Sequence, residues 1–387
     1  MGCQSPIGCG VEDGALLMVA TRVREGVVRQ PIRKREPVHS NEQQESSGLR
    51  LAVVRDVFAN PSDAMTFQFI AEERSDFVAF WRRGLWSPEK LGWPDTLKYC
   101  MYDEPIEGNL DLSWYNAIDV AEIYHDWTAY CVNRWPQKTF VTVWDNIPYN
   151  GWNQFSPDII SKARGFIGRS QLTCNMLEDR YQIPEEKVFW IPAAVDTNRF
   201  APSTPDNEGN RFSDKPTILF AGRLVWEKGL LDLIYACDGM PWTLVICGSG
   251  PMEELLSQAI PEEVDVRFIG AVPHHEMPDV YRMCDIFCYP SIPTQHWVEQ
   301  FGISVIEAMA CGLPCVTTDV GAFHDFRAVA GAAIQLVPPM RYDMLQEALV
   351  KAIKGRRKLS RLARDMAVEH YDSKVIGERL REVYTSE

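Results

Sequence analysis

Two carboxylates and two cations in the second half of the chain stand at spacings that suit an anion with hydroxyl groups attached. Glu299 and Glu307 have seven residues between them, within a stretch from Val298 to Pro314. The spacing predicts a helix that begins near Ile303 or Ser304 and stops at Gly312, with Pro314 just beyond its end. Phe301, Gly302 and Ile303 then sit at the helix start, where unpaired backbone N–H groups and the helix dipole favour negative charge. Glu307 falls one turn inside, about 6 Å along the axis at ~1.5 Å per residue. From there it can reach a sugar attached to the anion, and Glu299, ahead of the helix, can face the same space. An amphipathic helix with one exposed Glu and a surface Glu before it would carry the same letters, so neighbouring elements must decide.

The cations belong to the stretch Phe220–Gly229. Gly222 permits a tight turn, Arg223 offers a planar fork of donors, and Lys228 arrives at the start of the following helix. Arg and Lys beside a helix N-terminus form a cradle for a diphosphate; a basic turn with solvated charges is the alternative. In Ile246–Pro251 a third stretch places Gly248, Ser249 and Gly250 after an apolar run, where glycine lets backbone N–H groups approach a phosphate. It lacks the third glycine of a dinucleotide fingerprint and says little alone.

Positioning these groups requires a repeating scaffold. Short apolar runs at Leu49–Val54, Asp76–Phe80, Ala121–Tyr124, Thr139–Val143, Gly165–Gly168 and Lys187–Ile191 read as strands separated by helix-length segments. A polar break, Ala201–Asn210, has the composition of a linker. A second series follows at Thr217–Ala221, Trp242–Cys247, Val266–Ile269, Ile286–Tyr289, Cys315–Thr318 and Ile334–Val337, with helical stretches at Met252–Ala259, Met277–Cys284 and from Tyr342 onward. Two βαβ series imply an α/β protein with two Rossmann-like, doubly wound parallel-sheet domains facing across a cleft. The expected divisions are a flexible extension over 1–48, domains over 49–205 and 206–370, and a helix over 371–387 for which a return to the N-terminal domain is one option.

Composition narrows the partners. The chain has 387 residues, 46% hydrophobic and 24% charged, so it is neither disordered nor collagenous and has apolar material for two cores. A formal charge of −14 disfavours a nucleic-acid partner. No apolar run is long enough to span a membrane. The run Ala15–Ala20 follows Glu12 and Asp13 rather than basic residues, which argues against a secretory signal. Pro6 stands where a myristoylation signal wants Ser or Thr. Eleven cysteines without any C-x-x-C spacing read as reduced thiols in a cytoplasmic chain.

In order, the three stretches resemble the C-terminal half of retaining GT-B-fold glycosyltransferases, specifically glycosyltransferase family 4 (glycosyl transferases group 1). The likeness covers most of residues 160–320 and includes Phe268–Val272, Met277–Phe287 and Tyr289–Ser291. The stretch Val188–Phe200 is similar to the family's hinge signature, with Ala193 and Ala194 replacing Asn and Gly. The resemblance implies transfer of a hexose from a nucleotide-sugar donor to a hydroxyl of a glycan, lipid-linked or small-molecule acceptor. Catalytic roles fall to Glu299, Arg223 and Lys228. Arg223 and Lys228 would hold the diphosphate, Glu307 the ribose hydroxyls and Glu299 the transferred sugar. Backbone at Phe301, Gly302 and Ile303 would take the distal phosphate, with Gly222 and the Gly248–Ser249–Gly250 turn closing over the donor and Gly270–Val272 beside the base. No cofactor or metal is implied beyond a UDP-, GDP- or ADP-linked co-substrate; no D-x-D triplet occurs in the chain, and two cations with a helix N-terminus can supply the neutralisation that Mg²⁺ gives elsewhere.

One departure concerns the N-terminal domain. Many family members place a His where this chain has Trp144. Asp145 or Asn146 is a candidate substitute, His125 is a second candidate for the cleft, and Trp144, Tyr149 and Trp152 form either a sugar-stacking platform or core packing. His296 reads as a loop histidine. The basic stretch Lys351–Arg361 is either a solvated helix face or a peripheral contact with an anionic membrane surface. Other GT-B activities, a phosphorylase or a sugar-nucleotide epimerase, and a non-catalytic nucleotide- or carbohydrate-binding protein stay open as alternatives.

Overall fold

Predominantly apolar runs form the centre of each sheet, as strands covered on both faces require. The computed structural model describes residues 49, 51–55, 78–82, 99–102, 112–113, 115–121, 126–144, 157–203, 211–295 and 297–386. The extension expected over 1–48, most of the linker, and His125, Asp145, Asn146, Tyr149, Trp152 and His296 lie outside the described residues.

The first sheet contains β1 (Leu51–Arg55), β2 (Val78–Arg82), β3 (Tyr99–Tyr102), β4 (Ala117–Ala121), β5 (Thr139–Val143), β6 (Gly165–Gly168) and β7 (Val188–Trp190), in the order β3-β2-β1-β4-β5-β6-β7. The second contains β8 (Thr217–Ala221), β9 (Thr243–Cys247), β10 (Asp265–Gly270), β11 (Ile286–Tyr289), β12 (Cys315–Thr318) and β13 (Ile334–Val337), ordered β10-β9-β8-β11-β12-β13. Every strand pair among the described residues is parallel. In both sheets the chain starts at the centre, winds to one edge, then returns to build the other side. This is the doubly wound order, with switch points between β1 and β4 and between β8 and β11. All five residues of β5, β8 and β9 are buried, whereas the edge strands β7 and β10 are only partly covered.

Two strands depart from the sequence reading. A strand forms at Ala117–Ala121 and shares only Ala121 with the one expected at Ala121–Tyr124, whose residues 122–124 lie outside the described residues; Asp119 hides it in the sequence by interrupting the apolar pattern. Its buried carboxylate accepts hydrogen bonds from Thr142 Oγ1 at 2.8 Å and from the Tyr384 hydroxyl, which removes the cost of an unpaired charge. Strand β3 is Tyr-Cys-Met-Tyr, with none of the β-branched residues that signal strands.

Helices α1 (Asp126–Arg134), α2 (Pro157–Lys162) and α3 (Gln171–Asp179) accompany the first sheet. The second has α4 (Leu230–Ala236), α5 (Glu253–Gln258), α6 (Met277–Arg282), α7 (Ile303–Ala310), α8 (Phe323–Ala330) and the long α9 (Tyr342–His370). The last helix, α10 (Ser373–Thr385), leaves the second sheet. Its Ile376, Leu380, Val383 and Tyr384 pack with Leu51, Val53, Phe140 and Ile167 on one face of the first. The period of two in β1 sends Ala52 to the opposite core, with Ile118, Val120 and Val141. Where α10 begins, the chain runs beside the segment joining the sheets: Val195 N–H donates to Tyr371 O at 2.8 Å and Ser373 N–H to Val195 O at 3.0 Å.

Candidate functional site

The loops after β8, β9 and β11 converge at the second switch point. The Gly222 N–H donates to Cys247 O at 3.0 Å, Leu224 N–H to Ser249 O at 3.0 Å and Ile292 N–H to Glu227 O at 2.8 Å, so the loops are sewn together. Gly248 has φ +141, and a Cβ there would lie 1.9 Å from Gly222 O; only glycine fits. These turns form one backbone surface at the carboxyl ends of the strands, where ligands of such sheets bind.

Lys228 lies just beyond β8 in a 3-10 turn, Trp226–Lys228, and is 6% exposed. Its Nζ donates to Glu299 Oε2 at 2.7 Å and stands 4.7 Å from the Tyr289 ring centroid and 4.6 Å from that of Trp297. Burial alone would lower its pKa; Tyr289 and the Glu299 carboxylate outweigh that and hold it above the ordinary lysine value. Ser291, fully buried after β11, also donates to Glu299 Oε2 at 2.7 Å. Glu299, 5% exposed, therefore has one oxygen held twice, while Oε1 has no partner among the described residues. Burial raises the Tyr289 hydroxyl pKa, with Lys228 opposing, so the phenol stays protonated at neutral pH.

Helix α7 starts at Ile303, as its spacing implies, and Gly312 takes φ +80 just beyond its end. Its N-cap, Gly302, is left-handed at φ +77, and a Cβ there would meet Phe323 Cε1 at 2.7 Å. No side chain among the described residues caps the helix, which leaves its first N–H groups without an intrahelical partner. Glu307, 6% exposed, lies one turn in. Its Oε1 is 2.7 Å from His274 Nε2, and its Oε2 accepts from the Tyr281 hydroxyl at 2.9 Å. Burial and then the Glu307 carboxylate hold the Tyr281 phenol well above its ordinary pKa, leaving it a donor.

The structure thus brings together Lys228, Glu299, Gly222, Gly248, Ser249, Gly250, Phe301, Gly302, Ile303 and Glu307. Arg223 is exposed beside them, and its guanidinium has no hydrogen-bond partner among the described residues. Trp144, at the end of β5, stacks on the buried Arg169 guanidinium at 4.7 Å and packs against the core of the second sheet. Sequence reasoning missed Ser291, His274, Tyr281 and Trp297. Tyr281 and Ser291 lay within stretches already singled out, and His274 follows a predicted strand end. Among the described residues no group of three His, Cys, Asp or Glu is arranged to hold a metal ion.

Two doubly wound parallel sheets in one chain, with anion-ready loops at the switch point of the second, define the GT-B class of fold. Residues 204–367 match the family model described as glycosyl transferases group 1. A phosphatidyl-myo-inositol mannosyltransferase of Mycobacterium leprae is 33% identical over 177 residues, 43% of this chain and 46% of that protein. A 2-deoxystreptamine glucosyltransferase of Streptomyces kanamyceticus is 28% identical over 180 residues, 43% of this chain and 45% of its own. The chain spans about half the length of these curated relatives. Among solved structures, a glycosyltransferase from Rickettsia africae superposes with TM-score 0.69 at 14% identity, covering 88% of this chain and 98% of that one. HepE of Anabaena, crystallised with UDP and glucose, gives 0.67 at 16% identity, covering 88% and 100%.

Proposed function

We propose that this chain is a retaining, metal-independent glycosyltransferase that moves a hexose from a nucleotide sugar to an acceptor hydroxyl. The observation that carries the reading is the pair of buried carboxylates flanking the uncapped start of α7, one of them bonded to Lys228. In this reading the distal phosphate lies on the α7 N–H groups, with Lys228 and Arg223 offsetting the charge that grows as the sugar leaves. Oε1 of Glu299 accepts from a hydroxyl of the transferred hexose, and Glu307 accepts from the ribose. The leaving phosphate oxygen takes the acceptor's proton. Phosphatidyl-myo-inositol and 2-deoxystreptamine, the compounds for which two relatives are named, both contain a cyclitol ring, so a polyol ring is the acceptor class we put first.

A membrane-bound acceptor would need only a peripheral contact. No helix among the described residues is long and apolar enough to cross a membrane. The apolar face of α9 is spent on the core through Leu345, Ala348, Leu349, Ala352, Ala363 and Ala367, so its exposed Lys351, Lys354, Arg357, Lys358 and Arg361 can offer electrostatic attraction but no insertion. Arg356 in this stretch pairs with Asp285 at the foot of β11, the end of the sheet opposite the donor loops.

Replacing Glu307 by Ala should weaken binding of UDP- and GDP-sugars in calorimetry at least tenfold, about 1.4 kcal/mol. Turnover should persist in excess EDTA. Unchanged donor affinity would remove the basis of the site, and complete loss of turnover in EDTA would remove the metal-free mechanism. A non-catalytic binding role is the second reading, favoured by Trp144 standing on Arg169 where many family members place a His; donor hydrolysis in the absence of acceptor would exclude it.

A further inference from the structure

We infer that His274 is a positioning residue that fixes the Glu307 carboxylate so that it can grip two neighbouring ribose hydroxyls; the inference rests on the donor reading above. The geometry comes from three separate elements. Glu307 belongs to the second turn of α7, Tyr281 to α6, and His274 to the loop leaving the edge strand β10. Tyr281 pins Oε2 at 2.9 Å and His274 pins Oε1 at 2.7 Å. The imidazole is itself held by the Phe200 ring, 5.3 Å away between centroids.

The terminal torsion of a glutamate is broad and roughly two-fold, so one bond leaves the carboxylate free to swing. Two bonds, one on each oxygen, fix its plane. An ionised carboxylate accepts about four hydrogen bonds, so each oxygen keeps capacity for one further donor. Two hydroxyls on adjacent carbons match that remaining capacity. For His274 to donate, Nε2 must carry the proton, a tautomer assigned from this bond. The neighbouring His275 is exposed and turned to Glu276 at 3.4 Å, so it takes no part.

The test uses the whole chain, with UDP, GDP and their 2′,3′-dideoxy counterparts as calorimetric probes. Wild-type protein should bind the ribose form of its preferred nucleotide more tightly than the dideoxy form. H274A should lose about tenfold in affinity for the ribose form, the scale of one hydrogen bond to a charged group, and nothing for the dideoxy form. H274F keeps a ring against Phe200 without a donor and should behave like H274A, which covers the case in which the smaller variant does not fold. H274Q carries an N–H near the position of Nε2 and should recover most of the loss, while H275A should match wild type. Equal losses on both nucleotide forms, or wild-type protein blind to the missing hydroxyls, would overturn the assignment. Wild-type protein that binds neither nucleotide, nor ADP in the same assay, would overturn the donor reading itself and this inference with it, a failure visible before any variant is made.

Discussion

Removing Lys228 should destabilise the second sheet far more than removing the charge it faces. Both side chains of the Lys228–Glu299 pair are 7% exposed and their charged atoms lie 2.7 Å apart. With an effective dielectric constant near 20 the gross attraction is about 6 kcal/mol, much of it cancelled by desolvation of the two ions. K228M leaves a buried carboxylate with only the Ser291 hydroxyl, and breaking a buried pair from one side costs about 3–5 kcal/mol. E299Q keeps the shape and leaves the ammonium between the Tyr289 and Trp297 rings, each worth about 1–2 kcal/mol when desolvated, so its cost should be nearer 1–2 kcal/mol. The double variant should cost less than the sum of the singles by at least about 1.5 kcal/mol. Urea unfolding followed by tryptophan fluorescence measures all four corners, and calorimetry with UDP and GDP supplies a second readout: the double variant regains stability but not donor affinity. Because Lys228 has a raised folded-state pKa, the pair's contribution is fully present below about pH 10.4 and fades only as pH climbs through the folded value. K228M within about 0.5 kcal/mol of wild type, the range of an ordinary surface change, would refute the reasoning.

Three further outcomes are expected. G302A should destabilise by at least about 2 kcal/mol, since it combines left-handed backbone strain with a Cβ 2.7 Å from Phe323; denaturant midpoints equal to wild type would rule that out. Cys131, Cys174, Cys237, Cys247, Cys284, Cys288, Cys311 and Cys315 are buried and free, and burial raises every one of these thiols, the first three to about 12. Unfolded thiols ionise where native ones do not, so stability should fall above about pH 8.5, by up to about 1.4 kcal/mol per thiol for each further pH unit; a urea midpoint unchanged between pH 8 and 10 would contradict this. Any binding to vesicles containing phosphatidylglycerol should vanish near 1 M salt, where the Debye length is about 3 Å, and retention there would point to an apolar contact elsewhere.

The second sheet was legible because the loops after β8, β9 and β11 follow predominantly apolar strands and are marked by glycine or by paired charges. The start of α7 at Ile303 and its end just before Gly312 could be read from the local sequence alone. The residues behind the two carboxylates could not. Ser291, Tyr281 and His274 are single letters on three elements, joined to Glu299 and Glu307 only when the sheet order is known. In the first sheet, Asp119 hid β4 because its partner Tyr384 lies in α10, far along the chain, and no local pattern announces that a carboxylate will be satisfied from such a distance. Trp144 shows the same limit, since its fate depends on Arg169 and on the core of the other sheet.

The late arrival of α10 also orders events during synthesis. The face formed by Leu51, Val53, Phe140 and Ile167 emerges from the ribosome long before Ile376 and Leu380 are made. At roughly 5–20 residues per second the delay from Ile191 to Ile376 is roughly ten to forty seconds. For that interval the nascent first half carries a bare oily flank, and a truncated transcript lacking α10 would leave it bare for good, marking the product for chaperones and proteases rather than for use.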